Sequence, residues 1–375
     1  MNYTRCSTEL KSLFTTEREM IALSWSGVRI CNIDFHSDFS SEGFFNKQDR
    51  LIEENTSFSY PVFCPAAESN KVILLLHGLN ERSWVKYLVW AYWLAENTSS
   101  YVILFPISFH INRSPAAWKD PRAMVPVMNN RNSQSGNISM SSFANAALSN
   151  RLAEDPLRFF NSGYQTTTDI IKLIKQIRAG RHRVIPAQSR LNVFAYSIGA
   201  FLAEILFLAN PEYLFSRSKL FIFCGGSVFS NMQGSSKLIM DSHAFEKVYN
   251  YYLYEFEKFM DGKSRVTEFL QTSRLAMAFR SMIDLGRFKS FRENHLKGME
   301  HRIKSTVLRK DAVIPWKGVK ETLNPLNNND IVKLMDFPFP YSHENPFPVF
   351  NSPVSDSVDK SFEIVFSQAG DFLSD

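Results

Sequence analysis

The chain has 375 residues, 45% hydrophobic and 21% charged, a balance that fits a globular protein and excludes a disordered or fibrous one. A net charge of +5 is thinly spread, and its densest runs, RAGRHR (178–183) and KSFRENHLKGMEHRIK (289–304), match no nucleic-acid module and read as solvated surface. A nucleic-acid partner is therefore not expected. Cys6, Cys31, Cys64 and Cys224 have no CxxC or zinc spacing and fit reduced thiols in the cytoplasm. The opening residues lack the apolar core of a secretory signal, and no apolar run is long enough for stable membrane insertion.

In chain order, IALSWSGVRICNIDF and SYPVFCP read as antiparallel edge strands. KVILLLHG (71–78) is a continuous aliphatic run, as expected of a strand buried on both faces of a parallel sheet. A helix follows in SWVKYLVWAYWLAEN, then a second buried strand in SYVILFPI (100–107). Residues 112–160 form a long polar, Ser/Asn-rich insertion. TTTDIIKLIKQIRAG reads as a helix stopped at Gly180. RLNVFAY is a strand, IGAFLAEILFLA a helix ended by Asn210-Pro211, and KLFIFCGG (219–226) and HRIKSTVLRKD (301–311) further strands. NDIVKLMDF (329–337) reads as the last strand, before a terminal helix in SVDKSFEIVFSQAGDFL. The alternation predicts an α/β fold with a mostly parallel central sheet flanked by helices.

Residues 228–300 break this alternation with helical stripes such as Phe245, Val248, Tyr249, Tyr252, Phe256 and Phe259. A helical cap over the carboxyl ends of the strands is expected, with helices on the sheet face as the other reading. The core then comprises residues 1–227 and 301–375.

In NVFAYSIGAFLAEIL, Ser197 falls between the end of a strand and the start of a helix. A nucleophile on a tight strand-to-helix turn needs that placement, with small residues such as Ala195 and Gly199 allowing close backbone approach. A helix-capping serine fits the same pattern. A serine hydroxyl becomes a nucleophile only beside a base that an acid orients. In one recurrent arrangement the chain order is Ser, then Asp or Glu, then His. Of His243, His295, His301 and His343, only His343 follows the last strand, in the loop FPFPYSHENPFPVF. The acid is expected just past the strand in STVLRKDAVIP, which supplies Asp311; Asp336 is the alternative. In LLLHGLNERSW, His77-Gly78 closes a strand and makes the Leu79 backbone N–H an oxyanion donor, with that of Ile198 as the second. His77 itself reads as structural.

These four elements, in this order, resemble the α/β-hydrolase superfamily from about Lys71 to the C-terminus. The resemblance implies a helix-wrapped core sheet, an esterase-type triad of Ser197, Asp311 and His343, and no metal or organic cofactor. The chain departs from the family in having Ala195 where Gly is commoner, and its insertion and aromatic cap match no subfamily of known substrate. HGLNERSW is similar to lipase-like members. The expected activity is a serine hydrolase cleaving a small-molecule carboxylic ester or related acyl bond, with an apolar acyl or aryl group suggested by the aromatic-rich segments 84–93 and 245–259. An inactive binding or scaffold protein on the same fold, or a thioesterase, amidase or acyltransferase, are the competing readings. Tyr196, His110 and Arg113 are candidate substrate contacts, Arg113 for an anionic group.

Overall fold

A computed structural model of the chain describes residues 2–323, 331–349 and 354–374. Nine strands form one sheet: β1 (Met20–Ala22), β2 (Arg29–His36), β3 (Ser57–Cys64), β4 (Lys71–Leu76), β5 (Tyr101–Leu104), β6 (Arg190–Tyr196), β7 (Leu220–Phe223), β8 (Ile303–Leu308) and β9 (Val332–Met335). Their spatial order is β1-β2-β3-β5-β4-β6-β7-β8-β9. The strands from β5 to β9 pair in parallel, and β1, β2 and β3 add an antiparallel edge. The expected final strand began at residue 329; 329 and 330 lie outside the described residues.

The aliphatic runs have a simple cause. Val72, Leu74 and Leu76 of β4 enter one core, while Ile73 and Leu75 enter another on the opposite face. Helices Leu157–Arg178 and Ile198–Ala209 cover the first face. Helices Tyr3–Leu13, Val85–Thr98 and Ser355–Ser374 cover the second. A strand covered on both sides has no polar face to alternate with, and each fully buried aliphatic side chain contributes about 1.5–3 kcal/mol.

Residues 112–160, read from sequence as a polar insertion, hold two helices, Pro121–Ser135 and Ala146–Glu154. The first starts with Asp120 accepting from the Arg122 N–H and Pro121 in the first turn, a strong N-terminal signal beneath the polar composition. Between β7 and β8, beyond a loop over residues 232–241, the chain is mostly helical. Arg274–Ser281 and Lys289–Lys297 pack on the Ile198–Ala209 helix, and Ser242–Asn250 packs on Ala146–Glu154.

Candidate active site

β6 ends at Tyr196, and the chain turns into the Ile198–Ala209 helix through one residue. That residue is Ser197, with φ 58° and ψ −125°, a backbone conformation costing of order 1–3 kcal/mol for a non-glycine residue. The turn is tight because the helix starts against the end of β4: a Cβ on Gly199 would lie 2.7 Å from the carbonyl oxygens of both Leu76 and His77. Ser197 occupies the N-cap position, but its side chain makes no capping hydrogen bond. Its Oγ is instead 2.7 Å from His343 Nε2.

His343 sits in the loop after β9, and its Nδ1 is 2.7 Å from Asp311 Oδ2. A carboxylate only accepts, so Nδ1–H donates to Asp311, leaving Nε2 to accept from the serine hydroxyl. Asp311, in the turn after β8, is held by the backbone N–H groups of Val313 and Ile314, which both donate to its Oδ1. All three residues are buried. Asp336, the other acid considered, is at the surface, accepting from the Tyr341 hydroxyl and facing Lys310 and Arg309. It does not reach His343.

The loop carrying His343 is held by groups whose roles the sequence does not reveal. The Tyr196 ring stacks on the imidazole at 5.6 Å between centroids and 18° between planes, and its hydroxyl donates to the His343 carbonyl. Burial pushes that hydroxyl well above the usual tyrosine range, so it remains a donor. Tyr196, expected as a substrate contact, thus acts on the histidine. Lys86 lies 4.7 Å from the Tyr196 ring centroid, donates to the Glu344 carbonyl at 2.9 Å and pairs with Glu81. Glu81 also accepts from the Tyr87 hydroxyl, which in turn accepts from the Gly78 N–H. One cluster of polar side chains therefore ties the turn after β4 to the His343 loop.

The backbone N–H groups of Leu79, in that turn, and of Ile198, at the start of the helix after β6, donate no hydrogen bond among the described residues. Both residues share cavity walls with Ser197. His77 is structural: Nδ1–H donates to the Gly78 carbonyl and Nε2 accepts from the Ile107 N–H. Burial holds it neutral, with its pKa well below the usual range.

Leu79 and Ile198 also line an apolar cavity of about 70 Å³, walled by Phe159, Phe201, Phe269, Leu275 and Phe279 among others. A smaller one of about 40 Å³ touches Ser197 itself and is closed by Phe229, Phe245 and Val248. Phe245, Val248, Phe269, Leu275 and Phe279 all come from the 228–300 segment. On the outer side lies a polar mouth of about 580 Å³ that includes Arg82, Lys119 and Glu344.

Of the other two candidate contacts, one lines a cavity beside the site and the other does not. His110 lines the 70 Å³ cavity; its Nδ1–H donates to the Ser108 carbonyl, and burial lowers its pKa to about 4. Arg113 does not face the site. It is fully buried, bound to Asp169 at 2.9 Å and to the carbonyls of Asn55 and Pro106, with its guanidinium over the Phe58 ring. Its partner carboxylate is far along the sequence, so a basic residue after a strand end looked free when it was already engaged. Arg151 and Arg158 reach the cavity wall unannounced by the sequence, both paired with Asp49.

A mostly parallel sheet with an antiparallel edge, a strained serine after its central strand, and an acid and a histidine after its last two strands define the α/β-hydrolase fold. The chain belongs to a family of unknown function, DUF6051, whose model matches residues 38–374. No curated protein sequence matches it. Among solved structures it is similar to carboxyl esterase 2 from Tuber melanosporum, with 7% identity, 99% of this chain and 98% of that one covered, and a TM-score of 0.48. It is also similar to an S-formylglutathione hydrolase from Agrobacterium tumefaciens, at 13% identity, 95% and 100% coverage and a TM-score of 0.45. A lipase in its open form gives 17% identity, 91% and 99% coverage and a TM-score of 0.43. No helix among the described residues is long and apolar enough to cross a membrane.

Proposed function

We propose that this chain is a serine hydrolase that cleaves a carboxylic ester or related acyl bond of a small molecule through an acyl-enzyme on Ser197. The single observation that carries this reading is the continuous hydrogen-bond line Ser197–His343–Asp311, with 2.7 Å at each step, starting from a serine on a strained turn. As Ser197 Oγ attacks the carbonyl carbon, its proton passes to His343 Nε2. Asp311 holds the imidazole in the tautomer that can accept that proton and stabilises the imidazolium. The Leu79 and Ile198 N–H groups, free to donate, receive the charge that develops on the carbonyl oxygen. His343 then protonates the leaving group, and water repeats the sequence to release the acid. The apolar walls beside Ser197 suit an apolar acyl or aryl group, and the helices of residues 228–300 serve as the cap that supplies much of that wall.

The test is labelling by a fluorophosphonate probe. Wild type is expected to label, Ser197→Ala not at all, and His343→Ala far more slowly. Folded wild-type protein that fails to label would overturn the reading in favour of a binding protein on a hydrolase fold.

A further inference from the structure

The antiparallel edge of the sheet carries two cysteines that the hydrolase chemistry does not use. In the β2–β3 ladder Cys31 lies opposite Val62 and Arg29 opposite Cys64, which makes the two cysteines diagonal neighbours on one face. Their Sγ atoms are 3.7 Å apart, with the Cys64 thiol donating to Cys31. Both line a pocket of about 460 Å³ with Arg29, Tyr101 and Arg183. Tyr101 is the first residue of β5, so the pocket opens at the end of the sheet opposite Ser197. Both cysteines are buried, and the pocket that leads to them is separate from the active site.

The two thiols are not equivalent. The hydrogen bond from Cys64 and the nearby Arg29 charge draw Cys31 toward the thiolate, the form that reacts with oxidants. Cys64 is held as the thiol by donating in that bond and by burial. Such a pair has an attacking sulfur and a resolving sulfur already in contact. All four cysteines are buried, but neither Cys6 nor Cys224 touches another cysteine among the described residues.

We propose that Cys31 and Cys64 form a reversible two-electron redox site, closed to a disulfide by a peroxide and reopened by a dithiol reductant. The Cys31 thiolate attacks a peroxide oxygen, the O–O bond breaks, and Cys31 becomes a sulfenic acid while the released hydroxide takes up the proton that the Cys31 thiol gave up and leaves as water. Cys64 then attacks the Cys31 sulfur, its proton leaves with the displaced hydroxide as a second water, and the S–S bond forms. Two thiols and one hydrogen peroxide thus give one disulfide and two waters. The sulfurs need to approach by about 1.7 Å to reach a bond of ~2.05 Å.

The experiment treats the folded, full-length chain with stoichiometric hydrogen peroxide, then counts thiols in denaturant and maps peptides by mass spectrometry. The expected result is a fall from four thiols to two, a peptide pair joined through Cys31 and Cys64, and recovery of all four with dithiothreitol. In Cys64→Ser, Cys31 is expected to be trapped as a sulfenic acid by dimedone. In Cys31→Ser, Cys64 is expected to stay a free thiol, so either variant suffices if the other does not fold. Four free thiols after peroxide, a disulfide through any other cysteine, or a Cys31 sulfinic acid beside a free Cys64 would overturn the proposal.

Discussion

Tyr196 grips His343 twice, with its ring stacked on the imidazole and its hydroxyl donated to the backbone carbonyl of the same residue. The tyrosine directly precedes Ser197, so the stretch that sets the proposed nucleophile also sets its proposed base. Tyr196→Phe keeps the ring and loses the hydrogen bond. At about 1 kcal/mol for such a bond, kcat is expected to fall roughly five- to tenfold, with KM and melting temperature little changed. Steady-state kinetics on a chromogenic ester, beside a thermal melt, tests this; an unaltered kcat would mean the stacked ring alone holds the histidine.

The two acids near the site separate cleanly. Asp311→Asn removes the acceptor that fixes the His343 tautomer, and kcat is expected to drop by about 10⁴-fold with the fold intact. Asp336→Asn, whose carboxylate faces Lys310, Arg309 and Tyr341 at the surface, is expected to leave kcat within about twofold of wild type, since an exposed ion pair contributes little. Equal losses in the two variants would contradict the assignment of the acid.

Arg113 should matter to the fold and not to substrate choice. Arg113→Met strands Asp169 in the interior, where burial already raises its pKa against the pull of Arg113. Breaking a buried pair from one side costs about 3–5 kcal/mol. Urea denaturation is expected to show that loss, while the ratio of kcat/KM for anionic and neutral esters stays constant. A changed ratio at unchanged stability would restore Arg113 to the substrate.

His110 makes stability depend on pH. Its folded pKa is lowered to about 4, below an unfolded value near 6.5, so between these values the unfolded chain binds a proton the folded chain lacks. Stability is therefore full above about pH 6.5 and falls as the pH drops toward 4, by up to about 1.4 kcal/mol per pH unit for this group. His110→Asn, which keeps a donor for the Ser108 carbonyl, is expected to show a shallower decline in urea midpoints over that range. Parallel curves for the two proteins would remove His110 as the cause.

Much of this was legible because the physics involved is local or ordered along the chain. Double burial writes β4 as an aliphatic run, and the close approach at Gly199 demands a small residue whichever fold surrounds it. Chain order alone separated His343 from three other histidines. What stayed hidden depends on partners distant in sequence. Nothing around Arg113 announces Asp169, and nothing around Tyr196 says that its hydroxyl reaches the residue after the final strand. The Pro121–Ser135 helix was obscured differently: its residues are mostly polar and exposed, so burial imposes no periodic stripe.

The residues that would make and break bonds come from strand ends, whereas much of the apolar wall beside them comes from a single helical stretch between β7 and β8. Sequence change in that stretch can therefore reshape the volume on offer while leaving the proton path untouched. A lineage built on this plan has two independently adjustable parts, and relatives that share the hydrogen-bond line need not share a preferred molecule.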